Sequence, residues 1–402
     1  MREVQSPTLP LRGWGMIGAL LLVIAIAGFR NIGAFYANLS MVRVIHIAGK
    51  DNASVRDMLS GTIPSKAQMV DGIALAERAI ALGSSNPQIY STLGLIYGLN
   101  GSYAEAITAL EKSVELAPNA MWAHFWLGFM YYYTGKADIA VEEWKRAGAS
   151  PYFVSLGQYY SQRGNRDRAI QAFQIAVAID PRSVNGHYFL GREYLYQEYW
   201  EEAMHEFYLA SALAPEFSRA YYFWAVALYQ GEKNVEGAID LAKKAIAVDP
   251  LDMLPYLFLG DIAREMRSYG EASEWYQRAT GIAPTKAEPL LGLGHVRRDL
   301  GDVDGAIQFY QKAIMVDPQN SDGYAFLGDA YHRQGRLTEA ITQLQKAISI
   351  NDRVSWYHLL LARAYRDARM TENAIEEYRI CLAMESPCTW ARGELEDLLT
   401  MQ

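Results

Sequence analysis

Apolar and small residues return along most of this chain with a period close to 34 residues. The clearest marker is glycine. Gly94, Gly128, Gly157, Gly191, Gly260, Gly294 and Gly328 stand 34 residues or a near multiple apart, except for one step of 29 between Gly128 and Gly157. No stretch alternates apolar and polar residues with period two, so strands are not expected. A fixed period of this size marks an array in which each repeat is one supersecondary unit that buries its apolar face only against its neighbours. The residue types predict how. Small residues such as Gly191 and Ala203 allow two antiparallel helices to approach closely. Large ones such as Tyr194 and Phe207 are expected to fill the space between that pair and the next repeat. Asp180-Pro181, Ala214-Pro215, Asp249-Pro250 and Asp317-Pro318 end each second helix, because the residue before proline is forced out of the helical region.

Three phrases make the grammar specific: Tyr90-x-x-Leu93-Gly94-x-x-Tyr97, His187-x-x-Leu190-Gly191-x-x-Tyr194 and Tyr324-x-x-Leu327-Gly328-x-x-Tyr331, followed by Ala106, Ala203 and Ala340. This resembles the tetratricopeptide (TPR) repeat. The resemblance covers residues 87–388 and implies an all-α fold, a right-handed α-solenoid of about nine helix pairs. The repeats fall at 87–120, 121–149, 150–183, 184–217, 218–252, 253–286, 287–320, 321–354 and 355–388. A degenerate half-repeat with Ala76, Ala79 and Leu82 precedes them within a segment at 37–86. An amphipathic helix in 389–402 is expected to cap the array, with Leu395, Leu398 and Leu399 inward and Glu394, Glu396 and Asp397 outward. The repeat at 121–149 is five residues short, so its second helix should lose about one turn and the array should kink there.

Behind a short tail at 1–12, residues 13–29 form an uncharged run flanked by Arg12 and Arg30, and apolar residues continue to Tyr36. The stretch 13–36 is long enough for a single N-terminal transmembrane helix, with Trp14 and Tyr36 at the two interfaces. A cleaved signal segment ending at Ala25-Ile26-Ala27 and a soluble helix are the alternatives. A short tail before such a segment ordinarily stays inside, which places the repeats outside the cytoplasm, on the periplasmic or extracellular face. Residues 1–60 carry a net +3, leaving −11 on the remainder. So acidic a body argues against nucleic-acid binding, which requires phosphate neutralisation. The two cysteines, Cys381 and Cys388, make no framework. Cys381 reads as a buried thiol, with a bridge through the Pro387 turn as the alternative.

Repeat arrays present long surfaces for binding, and the family resemblance implies a groove lined by the first helix of each repeat. Carrying over its positions two, five, nine, twelve and thirteen divides the array. Trp122, Phe129, Tyr132, Tyr133, Tyr196 and Tyr229 make the first part aromatic, while Phe125, Tyr188 and Tyr222 read as packing residues. Arg264, His295, Arg298, His332, Arg333, Arg363 and Arg366, with Asp261, Glu265, Asp299, Asp329 and Asp367, make the later part charged. That charged set reads equally as a solvated ion-pair face. The Lys and Asn of carboxylate-clamping TPR domains are absent. No phosphate loop, nucleophile elbow, HExxH or metal-ligand spacing occurs, so an enzyme, a cofactor and a metal are not expected. The expected role is a membrane-tethered protein–protein interaction scaffold that holds a protein or peptide in the groove. A polysaccharide-handling module and a non-catalytic subunit of a membrane complex are the alternatives.

Overall fold

The computed structural model describes residues 66–384, 388–389 and 391–400. The stretch at 13–36 lies outside them. Among the described residues there are twenty helices and no strand, and no helix is long and apolar enough to cross a membrane. The chain divides into two compact units, one ending at Leu213 and the other beginning at Ala214.

In the first unit, α1 (Lys66–Ala81) is followed by four hairpins. These are α2 (Pro87–Leu99) with α3 (Tyr103–Leu116), α4 (Met121–Tyr133) with α5 (Ala137–Arg146), α6 (Ser150–Gln162) with α7 (Arg166–Ile179), and α8 (Val184–Tyr196) with α9 (Trp200–Leu213). In the second unit the hairpins are α10 (Ser218–Glu232) with α11 (Val235–Val248), α12 (Leu254–Glu265) with α13 (Tyr269–Ile282), and α14 (Glu288–Asp299) with α15 (Val303–Val316). They continue with α16 (Ser321–Arg333) and α17 (Leu337–Ile350), then α18 (Ser355–Asp367) and α19 (Thr371–Ala383), before the single α20 (Ala391–Thr400). Ala76 and Ala79 of α1 are buried, but Leu82 follows the helix end and is 67% exposed.

Each hairpin is closed over one small residue. A side chain at Gly128 would stand 2.5 Å from Trp144, and one at Gly260 would stand 2.6 Å from Tyr276. The same relation joins Gly94 to Leu110, Gly157 to Phe173, Gly191 to Phe207, Gly294 to Tyr310 and Gly328 to Leu344. Each bulky partner lies sixteen residues after its glycine. Phe207 therefore packs over Gly191 inside its own hairpin. Tyr194 reaches backward: its hydroxyl accepts from Gln174 of the preceding hairpin at 2.9 Å. Tyr97 with Glu77, Tyr131 with Glu111, Tyr331 with Gln311 and Tyr365 with Gln345 repeat this bond across the same separation of 20 residues. A tyrosine in this slot thus stitches one repeat to the last through a polar tip while its ring packs in the core.

Three hairpins carry a buried histidine at their fourth position. His124 Nδ1 meets Glu143 at 2.6 Å, His187 meets Glu206 at 2.5 Å and His358 meets Glu377 at 2.6 Å. Nε2 of each faces a backbone carbonyl six residues earlier, on Pro118, Pro181 and Asp352. A carboxylate and a carbonyl both accept, so at His187 and His358 the slot suits an imidazolium donating from both nitrogens. Burial pulls His187 down, but the bond to Glu206, the Pro181 carbonyl and the Glu206 charge outweigh it and leave its pKa raised. The Glu377 bond raises His358 against the pull of burial. A raised folded pKa contributes stability that is complete below the unfolded value of about 6.5 and is lost as pH rises through the folded value. The melting temperature followed by circular dichroism should therefore fall from pH 6 to pH 8.5, and His187→Gln with His358→Gln should flatten that slope. A melting temperature that rises across this window would contradict the assignment.

The C-terminal end differs from expectation in two ways. Cys381 and Cys388 are both buried, with Cα atoms 5.9 Å apart, and they pair as a disulfide in place of the free buried thiol. Glu394 turns inward from α20 and accepts from Arg363, Arg366 and Tyr378. The polar face of the cap is thereby reduced to the exposed Glu396 and Asp397, and Leu399 is 42% exposed while Leu398 is buried.

Candidate functional site

α4 reads MWAHFWLGFMYYY and contains no acid and no base apart from His124. Its rings form a chain of contacts along one side: Trp122 to Phe125 (centroids 5.8 Å), Phe125 to Phe129 (5.1 Å) and Phe129 to Tyr133 (6.4 Å). Tyr133 also stacks on Tyr103 at 5.5 Å. Trp122 (59% exposed) and Tyr133 (42%) are open to solvent, whereas Phe129 (6%) is largely core. Of the three residues read as packing, Tyr188 is buried and Phe125 and Tyr222 are half-buried.

The shortened repeat changes what this face borders. α5 has 10 residues where the second helices α3, α7 and α9 have 14. The four missing residues amount to about one turn. A cleft of about 290 Å³ opens there between α4, α5, α6 and α7. Its apolar wall comes from Phe129, Trp144, Phe153, Leu156 and Ile175, and its mouth from Tyr132 and Tyr133. Trp144 is fixed by its indole N–H, which donates to the Phe125 carbonyl at 3.1 Å. Gln171 of α7 donates to the Tyr132 hydroxyl at 2.7 Å and ties α4 directly to α7.

Two further polar side chains line the cleft. Tyr160 occupies the slot in which other repeats bond twenty residues back, but that position is Ala140, and the Tyr160 hydroxyl has no hydrogen bond among the described residues. Arg168 lies over the Tyr160 ring at 5.6 Å, and its guanidinium forms no ion pair among them. Close by, the Tyr152 hydroxyl is buried without a partner, and burial pushes its phenol pKa upward. Reading only positions two, five, nine, twelve and thirteen of first helices overlooked Tyr160 at position eleven of its repeat, and Arg168 and Gln171 on α7. The missing Glu or Gln twenty residues before Tyr160 was the available signal.

Tyr196, the other aromatic of the first unit, is 50% exposed. Arg166 lies 4.3 Å over its ring, and Arg192 donates to its hydroxyl at 3.3 Å. The structure does not bring it into the cleft. Tyr229 belongs to the second unit and donates to Glu265.

In the second unit the expected groove residues are largely bonded to one another. Arg264 donates to Asp299 at 3.0 Å and His332 pairs with Asp367 at 2.8 Å. In each pair the twelfth position of one repeat meets the thirteenth of the next. The rung between Arg298 and Arg333 would oppose two cations. There Arg298 turns to its own neighbour Asp299 at 3.0 Å and Arg333 to Asp329 at 2.8 Å. Arg366 meets Asp367 at 2.9 Å and shares Glu394 with Arg363. His295 is packed edge-on against Phe326 at 4.4 Å, with Nδ1 at 2.9 Å from the Tyr310 hydroxyl. Burial, then the charges of Arg298 and Arg264, push its pKa down to about 3, so it stays neutral. Among the described residues no group of His, Cys, Asp and Glu is placed to hold a metal.

Known families match this chain over five segments: "TPR repeat" at residues 99–135, 294–335 and 328–367, and "Tetratricopeptide repeat" at 154–216 and 224–287. The chain is a tetratricopeptide-repeat protein. It is 29% identical over 186 residues to the cytochrome c-type biogenesis protein CycH of Pseudomonas aeruginosa, an alignment covering 46% of this chain and 42% of that one. It is 24% identical over 209 residues to the BBSome complex member BBS4 of Bos taurus, covering 50% and 40%. The chain thus spans less than half the length of these curated relatives. Among solved structures it resembles a human IFIT1 dimer with m7Gppp-AAAA, with a TM-score of 0.52 and 16% identity over 78% of this chain and 81% of that one. At that identity the likeness concerns the fold alone. In this TPR array, the arginines and His332 expected at the groove of the second unit are held in side-chain pairs, and Trp122 and Tyr133 of the first are exposed.

Proposed function

We propose that this chain is an interaction scaffold whose partner engages the aromatic face of the first unit, centred on α4. The observation that carries the reading is the solvent exposure of Trp122 (59%) and Tyr133 (42%) on α4. Arg264, Arg298, His332, Arg333, Arg363 and Arg366 each hold a carboxylate of their own chain. A partner reaching them would have to break bonds already made. Trp122 and Tyr133 are exposed to solvent, and Tyr133 borders the cleft, a combination of rigid aromatic area and concavity that interfaces favour. Tethering by the apolar stretch at 13–36, with the repeats outside the cytoplasm, belongs to the same proposal.

A photoreactive amino acid at Trp122 or Tyr133 tests it directly in intact cells. These positions should yield a defined crosslinked product, whereas the same group at Arg333 or Asp329 should not. Capture only from Arg333 or Asp329 would reverse the assignment. The same cells test the tether, since release of the unlabelled chain from membranes by alkaline carbonate would overturn it.

A further inference from the structure

We infer that the cleft beside the shortened repeat is a docking site for a short peptide that inserts one large apolar side chain and presents a carboxylate next to it. This inference rests on the scaffold reading and names the chemistry of its partner. Three observations carry it. The first is size: about 290 Å³ lies at the lower edge of the roughly 300–1,000 Å³ of ligand pockets, room for a side chain and not for an extended chain of sugars. The second is the wall, in which Phe129, Trp144, Phe153, Leu156 and Ile175 give an apolar floor that rewards an apolar insertion.

The third is charge. Arg168 is the cation on this cleft, it is exposed, and neither a carboxylate nor a carbonyl satisfies its guanidinium among the described residues. The Tyr160 hydroxyl beside it likewise has a free donor. An arginine and a phenol that both donate toward one side of an apolar cleft match a carboxylate, by charge-assisted bonds at its two oxygens. No acidic residue lines the cleft, so a basic peptide would meet no counter-charge there. The site exists because the period is broken. With a second helix of full length, a residue twenty positions before Tyr160 would satisfy that hydroxyl, as Glu111 does for Tyr131.

The test uses the full-length chain and a synthetic peptide array in which Phe is flanked by Asp, Ser or Lys, with matched peptides carrying Ala in place of Phe. Asp-flanked Phe peptides should bind, and both the Ser-flanked and the Ala-containing versions should bind at least about tenfold more weakly, as loss of one charge-assisted bond or one buried ring implies. Arg168 is exposed, so Arg168→Glu should keep its helicity by circular dichroism. It should shift preference from Asp-flanked to Lys-flanked peptides, and Tyr160→Phe should weaken Asp-flanked binding without reversing it. Binding that ignores flanking charge, binding unchanged in Arg168→Glu, or binding of neutral oligosaccharides in place of peptides would each overturn the inference. If the array stays blank while Trp122 and Tyr133 still crosslink a partner in Arg168→Glu, the cleft assignment fails and the scaffold stands. If both readouts are blank, both fail.

Discussion

Trp144→Ala should destabilise the first unit by about 3–5 kcal/mol, the range for truncating a fully buried large aromatic. Trp144 is 1% exposed, lies against Gly128 across its hairpin, and packs on Phe153 of the next repeat at a ring-centroid distance of 4.7 Å. Removing it empties the middle of the α4–α5 pair, frees the Phe125 carbonyl from its indole donor and deletes one wall of the cleft. Backbone collapse cannot refill the space cheaply, because α5 is already a turn short. Chemical denaturation followed by tryptophan fluorescence and circular dichroism would check this. A midpoint within experimental error of the parent would show that the shortened hairpin contributes little to the unit. Trp144→Phe, which keeps a ring over Gly128, should recover a large part of the loss.

A smaller loss, about 1–3 kcal/mol, is expected for Glu143→Ala, since it leaves the Nδ1 of a buried imidazole without its hydrogen-bond partner. The side chains of His124 and Glu143 are 3% and 8% exposed, so water cannot replace the missing carboxylate. The second bond of Glu143, to Arg146 at 2.8 Å, involves a side chain that is 60% exposed and contributes little. The chain itself supplies the control. The first repeat places Tyr90 and Ala109 at the two equivalent positions. His124→Tyr combined with Glu143→Ala should therefore be much more stable than Glu143→Ala alone, a non-additivity that a double-mutant cycle measures. If the single and double variants unfold together, the pair is not the source of the loss.

Most of the architecture could be read from the spacing of a few residue types. Glycine followed sixteen residues later by Leu, Trp, Phe or Tyr records a close contact of two helices, and that contact is local enough to show in one sequence. The turn inside each hairpin is local too. All nine use a left-handed residue, glycine in five and Glu198, Lys233, Arg267 and Arg369 in the others. Every non-glycine in that conformation costs roughly 1 kcal/mol, an amount the packing of the flanking helices outweighs.

The candidate site was less legible. Its aromatic half was visible in α4, because thirteen residues with seven rings cannot all be buried in one hairpin. Its polar half was not, because Tyr160 and Arg168 matter through the absence of a neighbour and Gln171 through a bond to Tyr132, 39 residues away. A missing partner leaves no mark on the residue that lacks it. The charged half left two readings open, a partner-binding groove and a solvated ion-pair face. Arg264 and Asp299, or His332 and Asp367, lie 35 residues apart, so only the stacking of repeats shows that each answers the other. Glu394 looked outward by helical periodicity, but three donors hold it against the last hairpin.

Three inter-repeat pairs of the second unit run in one direction. Tyr229 reaches Glu265, Arg264 reaches Asp299 and His332 reaches Asp367, each from one first helix to the next. Such a row has a head and a tail, like a polymer with two distinct ends. At the hairpin α18–α19, Arg366 donates to Glu394 of α20 and not to a thirteenth-position group of another first helix. The closing helix therefore acts as a chain terminator written in side-chain chemistry. Adding a tenth hairpin would require displacing Glu394 before the new repeat could make its first bond.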